Sequence, residues 1–357
     1  MDLPPTPDGL TNRWNLGLPW GNCYNPRCHV RDNLLKCSGC LVALYCSVAH
    51  QKAHRPVHKS TCNIVKSARQ DLDREIAALD ERSLRILESR NPLELEEEVP
   101  PPFWLQKPVR AYFQRRLNLM DAMLNFRTGD AVEVALNESI RLLRLNHGDS
   151  LGFRSRVPGL YIRLGKEQEA WDFIKWYATA GNDPDYAWDD MKSPFLTLRG
   201  QDVFEPFDGY AKTLTDLDFL VCMTNIKIRL MLDLQMLERE ARKPENADAG
   251  YDRKMEWVRE DAMCNTLYKR RDIVERSEWT DLIADQRDQV EKLIRRVEKR
   301  NKHYWPALWD PDRWAAAYPA PYTLGSPEEI RMVFRDTWYT WSECLVALDV
   351  VKQYTKK

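Results

Sequence analysis

Net charge is nearly absent from this 357-residue sequence: 53 Lys and Arg residues meet 54 Asp and Glu, a formal charge of -1. That balance argues against a chain that is basic throughout, as many nucleic-acid binders are. Long apolar runs are missing too. No window holds about 18 uninterrupted apolar residues, so a membrane-spanning helix is not expected. The start, MDLPPTPDGLTNRWNLG, has no basic segment leading into an apolar one. A secretory signal is therefore not expected, and an intracellular chain, nuclear or cytoplasmic, is. No glycine-rich phosphate loop, nucleophile elbow or HExxH motif occurs. Hydrophobic residues at 43% and charged residues at 30% fit a soluble globular protein of one large or two ordinary domains.

Cysteine is scarce over most of the chain and crowded in one window. Six of the nine lie between Cys23 and Cys62, leaving only Cys222, Cys264 and Cys344 elsewhere. Four of the six histidines (His29, His50, His54, His58) share that window. A disulfide framework needs an oxidising compartment, so metal binding is the reading left. The candidate ligands run Cys23-x4-Cys28-x8-Cys37-x2-Cys40-x5-Cys46-x3-His50-x7-His58-x3-Cys62. Eight ligands, mostly thiolates, suit two tetrahedral zinc ions. Donors on one tetrahedral ion lie about 4 Å apart. Residues 50 and 58 on one helix would be separated by about 12 Å and cannot share an ion. Cys46 with His50, and His58 with Cys62, can each chelate one as pairs a helical turn apart. Pro56, between the pairs, is expected to end one short helix and open the next. His54 is left spare and, like His29, is expected to face solvent.

The pattern, with Tyr45-Cys46-Ser47, Gln51 and His58-Lys59-x-x-Cys62, resembles the MYND-type zinc finger over residues 23–62. The resemblance implies an interleaved arrangement, with Cys23, Cys28, Cys46 and His50 on one zinc and Cys37, Cys40, His58 and Cys62 on the other. Two departures stand out. The sixth ligand, usually cysteine in the family, is His50, which changes site charge while keeping a normal zinc donor. Arg55 stands where MYND fingers that bind proline-rich peptides carry a tryptophan near the glutamine matched by Gln51. That places proline-motif recognition in doubt here. Arg27, Arg31, Lys36, Lys52, Arg55 and Lys59 oppose Asp32 alone. With two zinc ions and six thiolates the finger keeps a charge of about +3, which could attract acidic groups. A closed eight-ligand set leaves no position for water or substrate, so the zinc is expected to be structural.

Beyond the finger the expected class is mainly α-helical. The periodicity of Ile64, Ala68, Leu72, Ile76, Leu79 and Ile86 predicts helix over 63–88. NPLELEEEVPPPFW reads as an acidic, proline-rich linker, so the expected divisions are a tail at 1–22, the finger, a helix and linker at 63–108 and a helical domain at 109–357. The helical stretches around Ala135 and Ala170, each after a turn glycine (Gly129, Gly165), lie 35 residues apart. They resemble tetratricopeptide repeats over 109–183, and repeats of that type stack into concave peptide-binding surfaces. Residues 182–211 form a long loop whose Tyr186, Trp188, Phe195, Phe204 and Phe207 are expected to fasten it to helices. Leu214–Leu237 is apolar nearly all round, as a central helix is. Ser326-Pro327-Glu328-Glu329 signals a capped helix start, followed by a buried stripe of Ile330, Phe334, Trp338, Trp341, Leu345 and Leu348.

The functional expectation is a zinc-binding, non-catalytic adaptor for protein partners, in transcriptional regulation or as an accessory factor. Membrane and nucleic-acid partners are not expected. Two alternatives remain. Some MYND fingers are inserted in SET-type lysine methyltransferases, and Asn146-His147-Gly148-Asp149 is superficially similar to a SET cofactor motif. A SET domain of that form needs strand-rich sequence before the finger, where only 22 residues stand. The finger could also serve only as a structural cap of the helical domain.

Overall fold

The computed structural model describes residues 18–19, 21–89, 103–210, 212–315 and 321–355. Two short strands, β1 (Leu35–Lys36) and β2 (Leu44–Tyr45), pair antiparallel with Leu35 opposite Tyr45. The other elements are helices: α1 (Val48–Ala77), α2 (Glu81–Glu88), α3 (Lys107–Leu124), α4 (Gly129–Leu145), α5 (Phe153–Arg163) and α6 (Glu167–Ala178). They continue with α7 (Leu217–Ala241), α8 (Tyr251–Asp261), α9 (Arg271–Val274), α10 (Thr280–Arg300), α11 (Tyr304–Ala307), α12 (Pro311–Ala315), α13 (Pro327–Ser342) and α14 (Leu345–Thr355). No helix among the described residues is long and apolar enough to cross a membrane.

The helix over the ligand row is where the structure departs most from expectation. Pro56 neither ends nor opens a helix; α1 runs through it for 30 residues. A proline deprives the carbonyl four residues back of its amide, and its ring crowds that carbonyl. Here that is Lys52, on an exposed stretch of helix where water can satisfy it. Ligand pairs on either side of the proline hold both halves in one register. Ser47 caps the start, its hydroxyl accepting from the His50 amide at 3.2 Å.

The chain divides into two compact units. The amino-terminal unit comprises Leu18–Val157 with Asp185–Phe195, and the carboxy-terminal unit comprises Pro158–Pro184 with Leu196–Lys357. This division differs from one at residues 62 and 108. α1 crosses Cys62 unbroken and packs lengthwise on α3, which brings finger and helices into one unit. Val65 and Leu72 are the buried side of α1, whereas Ile64 is exposed. The helix expected over 63–88 breaks after Ala77, and Asp80 restarts it as the cap of α2 by accepting from the Ser83 amide at 2.8 Å. The acidic and proline-rich residues 91–102 lie outside the described residues; Phe103 and Trp104 after them are buried.

In the carboxy-terminal unit α7 is the central helix, buried on nearly every face and packed along α10 and α13. It carries polar groups into the core, Arg229 and Asp233 among them. Arg229 donates to Glu167 at 2.9 Å and to the Ile162 carbonyl at 3.0 Å, and Asp233 accepts from the Met263 and Cys264 amides. Ser326 caps α13, but Glu329 does not close a capping box on it. It accepts instead from the Gly325 amide, Asn301 and both Nη atoms of Arg300. The buried stripe holds through Ile330, Phe334 and Trp341 and then shifts phase. The helix breaks at Glu343–Cys344, so Ala347 and Val351 turn inward while Leu345 is exposed.

Glycine is required where α5 meets α13. A Cβ on Gly159 would lie 2.5 Å from the Asp336 carbonyl oxygen, which is backbone and cannot rotate away. Gly159→Ala is expected to destabilise the carboxy-terminal unit by about 1–3 kcal/mol through overpacking. Urea unfolding followed by far-UV circular dichroism checks this, and an unchanged midpoint would contradict it.

Candidate metal centre

Each ligand is delivered by a local device. The segment Gly21–Val30 turns back on itself, with the Cys23 amide bonded to the Val30 carbonyl and the Cys28 amide to the Asn25 carbonyl. Cys37 to Cys40 form a tight knuckle after β1, in which the Leu41 amide donates to the Cys37 carbonyl at 2.8 Å. The Val42 and Ala43 amides point at Cys40 Sγ from 3.5 Å each, placing partial positive charge beside the sulfur. Gly39 has no Cβ because there is no room for one: it would sit 2.9 Å from Cys62 Sγ. β2 ends at Tyr45 and hands Cys46 to the start of α1, which contributes His50, His58 and Cys62.

These elements gather the eight expected ligands into two fours, Cys23, Cys28, Cys46 and His50 in one and Cys37, Cys40, His58 and Cys62 in the other. Within each, the donor atoms all lie within 4.8 Å of one another. Zinc bonds of about 2.3 Å to sulfur and 2.0–2.1 Å to nitrogen give tetrahedral edges of about 3.8 Å between sulfurs and 3.5 Å between sulfur and nitrogen. The first four has Cys28 Sγ and Cys46 Sγ 3.6 Å apart, with His50 Nδ1 at 3.2 Å from Cys46 and 3.6 Å from Cys23. The second has Cys37 Sγ and Cys62 Sγ 3.8 Å apart, with His58 Nε2 at 3.4 Å from Cys37 and 3.7 Å from Cys40. The donor sets therefore fit two zinc ions, each with three sulfurs and one imidazole nitrogen. The two histidines use different ring nitrogens, because His50 reaches back one turn to Cys46 whereas His58 reaches away from the helix into the knuckle. All four positions on each ion are filled by the chain, which makes both zincs structural.

The second centre is wholly buried; in the first, Cys46 and His50 are only half-buried. The surroundings of His58 explain how it is held. Its Nδ1 is buried with no hydrogen-bond partner among the described residues, so no acceptor orients the ring. Packing does: His54 stacks on it at 5.8 Å, Phe126 lies 5.6 Å away and Tyr45 meets it edge-on at 6.0 Å. Burial, reinforced by the nearby charges of His54 and Arg55, holds His58 down to about 4, so it is neutral and able to ligate at neutral pH. Without metal, burial pushes the Cys40 thiol up to about 11 against the pull of the Ala43 and Val42 amides. Zinc must displace that proton.

His54 is not exposed to solvent as expected. It is half-buried, bonded through Nδ1 to the Tyr45 hydroxyl at 2.9 Å, and belongs to neither ligand set. His29 is exposed and likewise outside both. Three contributors escape sequence reasoning: Phe126, Tyr24 and Thr128. The Tyr24 hydroxyl donates to Thr128 Oγ1 at 2.8 Å, and its ring meets Phe126 edge-on at 6.0 Å. Phe126 follows α3 more than sixty residues after Cys62, and nothing in its local sequence connects it to a metal centre. Gly39 carried a readable signal, since a glycine inside a Cys-x-x-Cys knuckle marks a crowded backbone.

The geometry defines a cross-braced finger of two zincs, its last ligands on a helix that continues into an α-helical unit. Residues 22–62 match the family model of the MYND finger. No curated protein and no solved structure matches the chain.

Two outcomes follow from the crowding and the proton balance. Gly39→Ala is expected to lower zinc content from two ions per chain towards one, because its methyl group would displace Cys62 from the second centre. Elemental analysis against wild type checks this; full retention of both ions would contradict it. Acidification is expected to release zinc. Protons compete for the thiolates, so the stability zinc provides is present at neutral pH and lost as pH falls. A chromogenic zinc indicator titrated from pH 8 to about pH 4 reads the release, and retention at the acid end would oppose it.

Proposed function

We propose that this chain is a non-catalytic, intracellular adaptor that presents a zinc-stapled surface to protein partners, in transcriptional regulation or as an accessory factor of a larger assembly. The observation that carries this reading is the closure of both zinc shells within a MYND finger. A metal with no open position supplies no Lewis-acid or hydroxide chemistry, and its contribution is folding free energy, about 10–16 kcal/mol per site in small zinc modules. Support also comes from the segment that is superficially similar to a methyltransferase motif. His147 is buried, stacked on Phe195 at 4.0 Å and bonded to the Tyr186 hydroxyl at 3.0 Å. Those contacts spend the histidine on fastening the 185–195 segment to the end of α4. The only strands among the described residues are β1 and β2, which gives little support to a SET domain.

The tetratricopeptide-like reading of the helical part has weaker support, since α4 and α6 fall in different compact units. The capping role of the finger is favoured by a specific observation: α1 packs along α3, and Tyr24 bonds Thr128. Finger and neighbouring helices then offer one continuous surface to a partner instead of two separate ones.

Affinity purification of the intact chain beside Cys37→Ala tests the adaptor reading. Partners bound by the intact chain are expected to be lost with the second zinc, while the carboxy-terminal unit keeps its helical circular dichroism. Identical partner sets from both proteins would overturn it, as would calorimetric binding of S-adenosylmethionine.

A further inference from the structure

The two centres carry the same donor set, three sulfurs and one imidazole nitrogen, and so the same charge when filled. What separates them is their surroundings. Backbone amides do not, since they point at Cys40 from Val42 and Ala43 and at Cys23 from Asn25 and Cys46. Exposure does. Cys37, Cys40, His58 and Cys62 are each at most 4% exposed, whereas Cys46 and His50 are half-buried. Their neighbours follow: Arg27 and His29 are exposed on either side of Cys28, and Val48 beyond Cys46 is 59% exposed.

The supports differ in the same sense. His58 and Cys62 lie well inside α1. Phe126 and His54 cover the His58 ring, Arg69 donates to the Cys40 carbonyl at 3.2 Å, and Gly39 fits against Cys62 Sγ. Opening the second centre therefore breaks core packing. Cys46 and His50 instead flank the first residues of α1, and helix ends are where local opening costs least. The segment that brings Cys23 and Cys28 is tied back on its Cys23 side, by the Gly21 amide on Asp130 at 3.0 Å and by Tyr24 on Thr128. Cys28, on the far side, is held by the turn bond to the Asn25 carbonyl.

Cys28 Sγ and Cys46 Sγ stand 3.6 Å apart, and a disulfide closes such a pair to about 2.05 Å. We infer that the first zinc centre is a site of reversible oxidation, at which a peroxide joins Cys28 to Cys46 and frees one zinc ion while the second centre stays loaded. Thiolates with access to solvent are the ones that oxidants reach. One sulfur attacks the peroxide, breaking the O–O bond and forming a sulfenic acid. The other sulfur then attacks that sulfenic sulfur, and the S–O bond breaks as the S–S bond forms. In sum, two thiolates, one hydrogen peroxide and two protons give one disulfide and two waters. The sulfurs lose two electrons and the peroxide oxygens gain them. The inference goes beyond the adaptor reading and does not depend on it.

Reaction of the full, zinc-loaded chain with hydrogen peroxide tests it, at about one equivalent per chain and with a chromogenic zinc indicator present. Release of one zinc ion per chain is expected, with loss of two free thiols. The second ion is expected to leave at least about tenfold more slowly. Mass spectrometry of unreduced peptides is expected to find Cys28 joined to Cys46. Helical circular dichroism is expected to be kept, and dithiothreitol with added zinc to restore both ions. Release of both ions at one rate overturns the inference, as does retention of both with all thiols free. A first disulfide between any other pair, loss of the helical signal along with the zinc, or failure of the reductant to restore the centre would each overturn it too.

Discussion

Everything in the amino-terminal unit depends on one helix serving two metal centres. A zinc ion gathers its donors into a tetrahedron only about 4 Å on an edge, while a helix advances about 1.5 Å per residue. His50 and His58 are therefore too far apart for one ion and well placed for two. α1 satisfies both centres only if it is continuous between them, and the structure keeps it so through Pro56. The proline costs one hydrogen bond on an exposed face, whereas bending the helix there would misplace His58 and Cys62 relative to the knuckle. Coordination outweighs the local preference.

The same continuity carries the finger's rigidity outward. Beyond Cys62, α1 has no metal to hold it, and its inward side chains, Val65 and Leu72, lie against α3. Phe126 and Thr128, at the turn between α3 and α4, return to the finger through His58 and Tyr24. The second zinc is thus held by four ligands and by the packing of the helical hairpin around one of them. Its full burial, against the half-buried first centre, follows from that arrangement. The finger is less an appended module than the end of a helical unit, joined to it by one continuous helix.

Metal ligation was legible in the sequence because its signal is local and chemical. Eight cysteine and histidine positions with fixed spacing state their own distances, and the interleaved fours implied by the MYND resemblance are the fours brought together. Periodicity also located α7 and the start of α13. The failures share a cause, which is tertiary context overriding a local rule. Pro56 is a helix breaker in isolation. Ile64 shares the helical spacing of Ala68, Leu72 and Ile76, yet Val65 is on the buried side of α1 and Ile64 is exposed. Leu345 continued a stripe whose helix had already ended at Ser342. Glu329 had the spacing of a capping box and was drawn away by Arg300 and Asn301. His54 looked superfluous because hydrogen bonding to Tyr45 and stacking on His58 leave no trace in spacing.

The central claim is that two saturated zinc centres, each of three sulfurs and one nitrogen, scaffold this end of the protein. X-ray absorption at the zinc edge, with the metal quantified on the same purified chain, addresses it most directly. The account predicts two zinc ions per chain and an average first shell of three sulfur neighbours and one nitrogen. Fewer than two ions, or a shell containing a water oxygen, would contradict it.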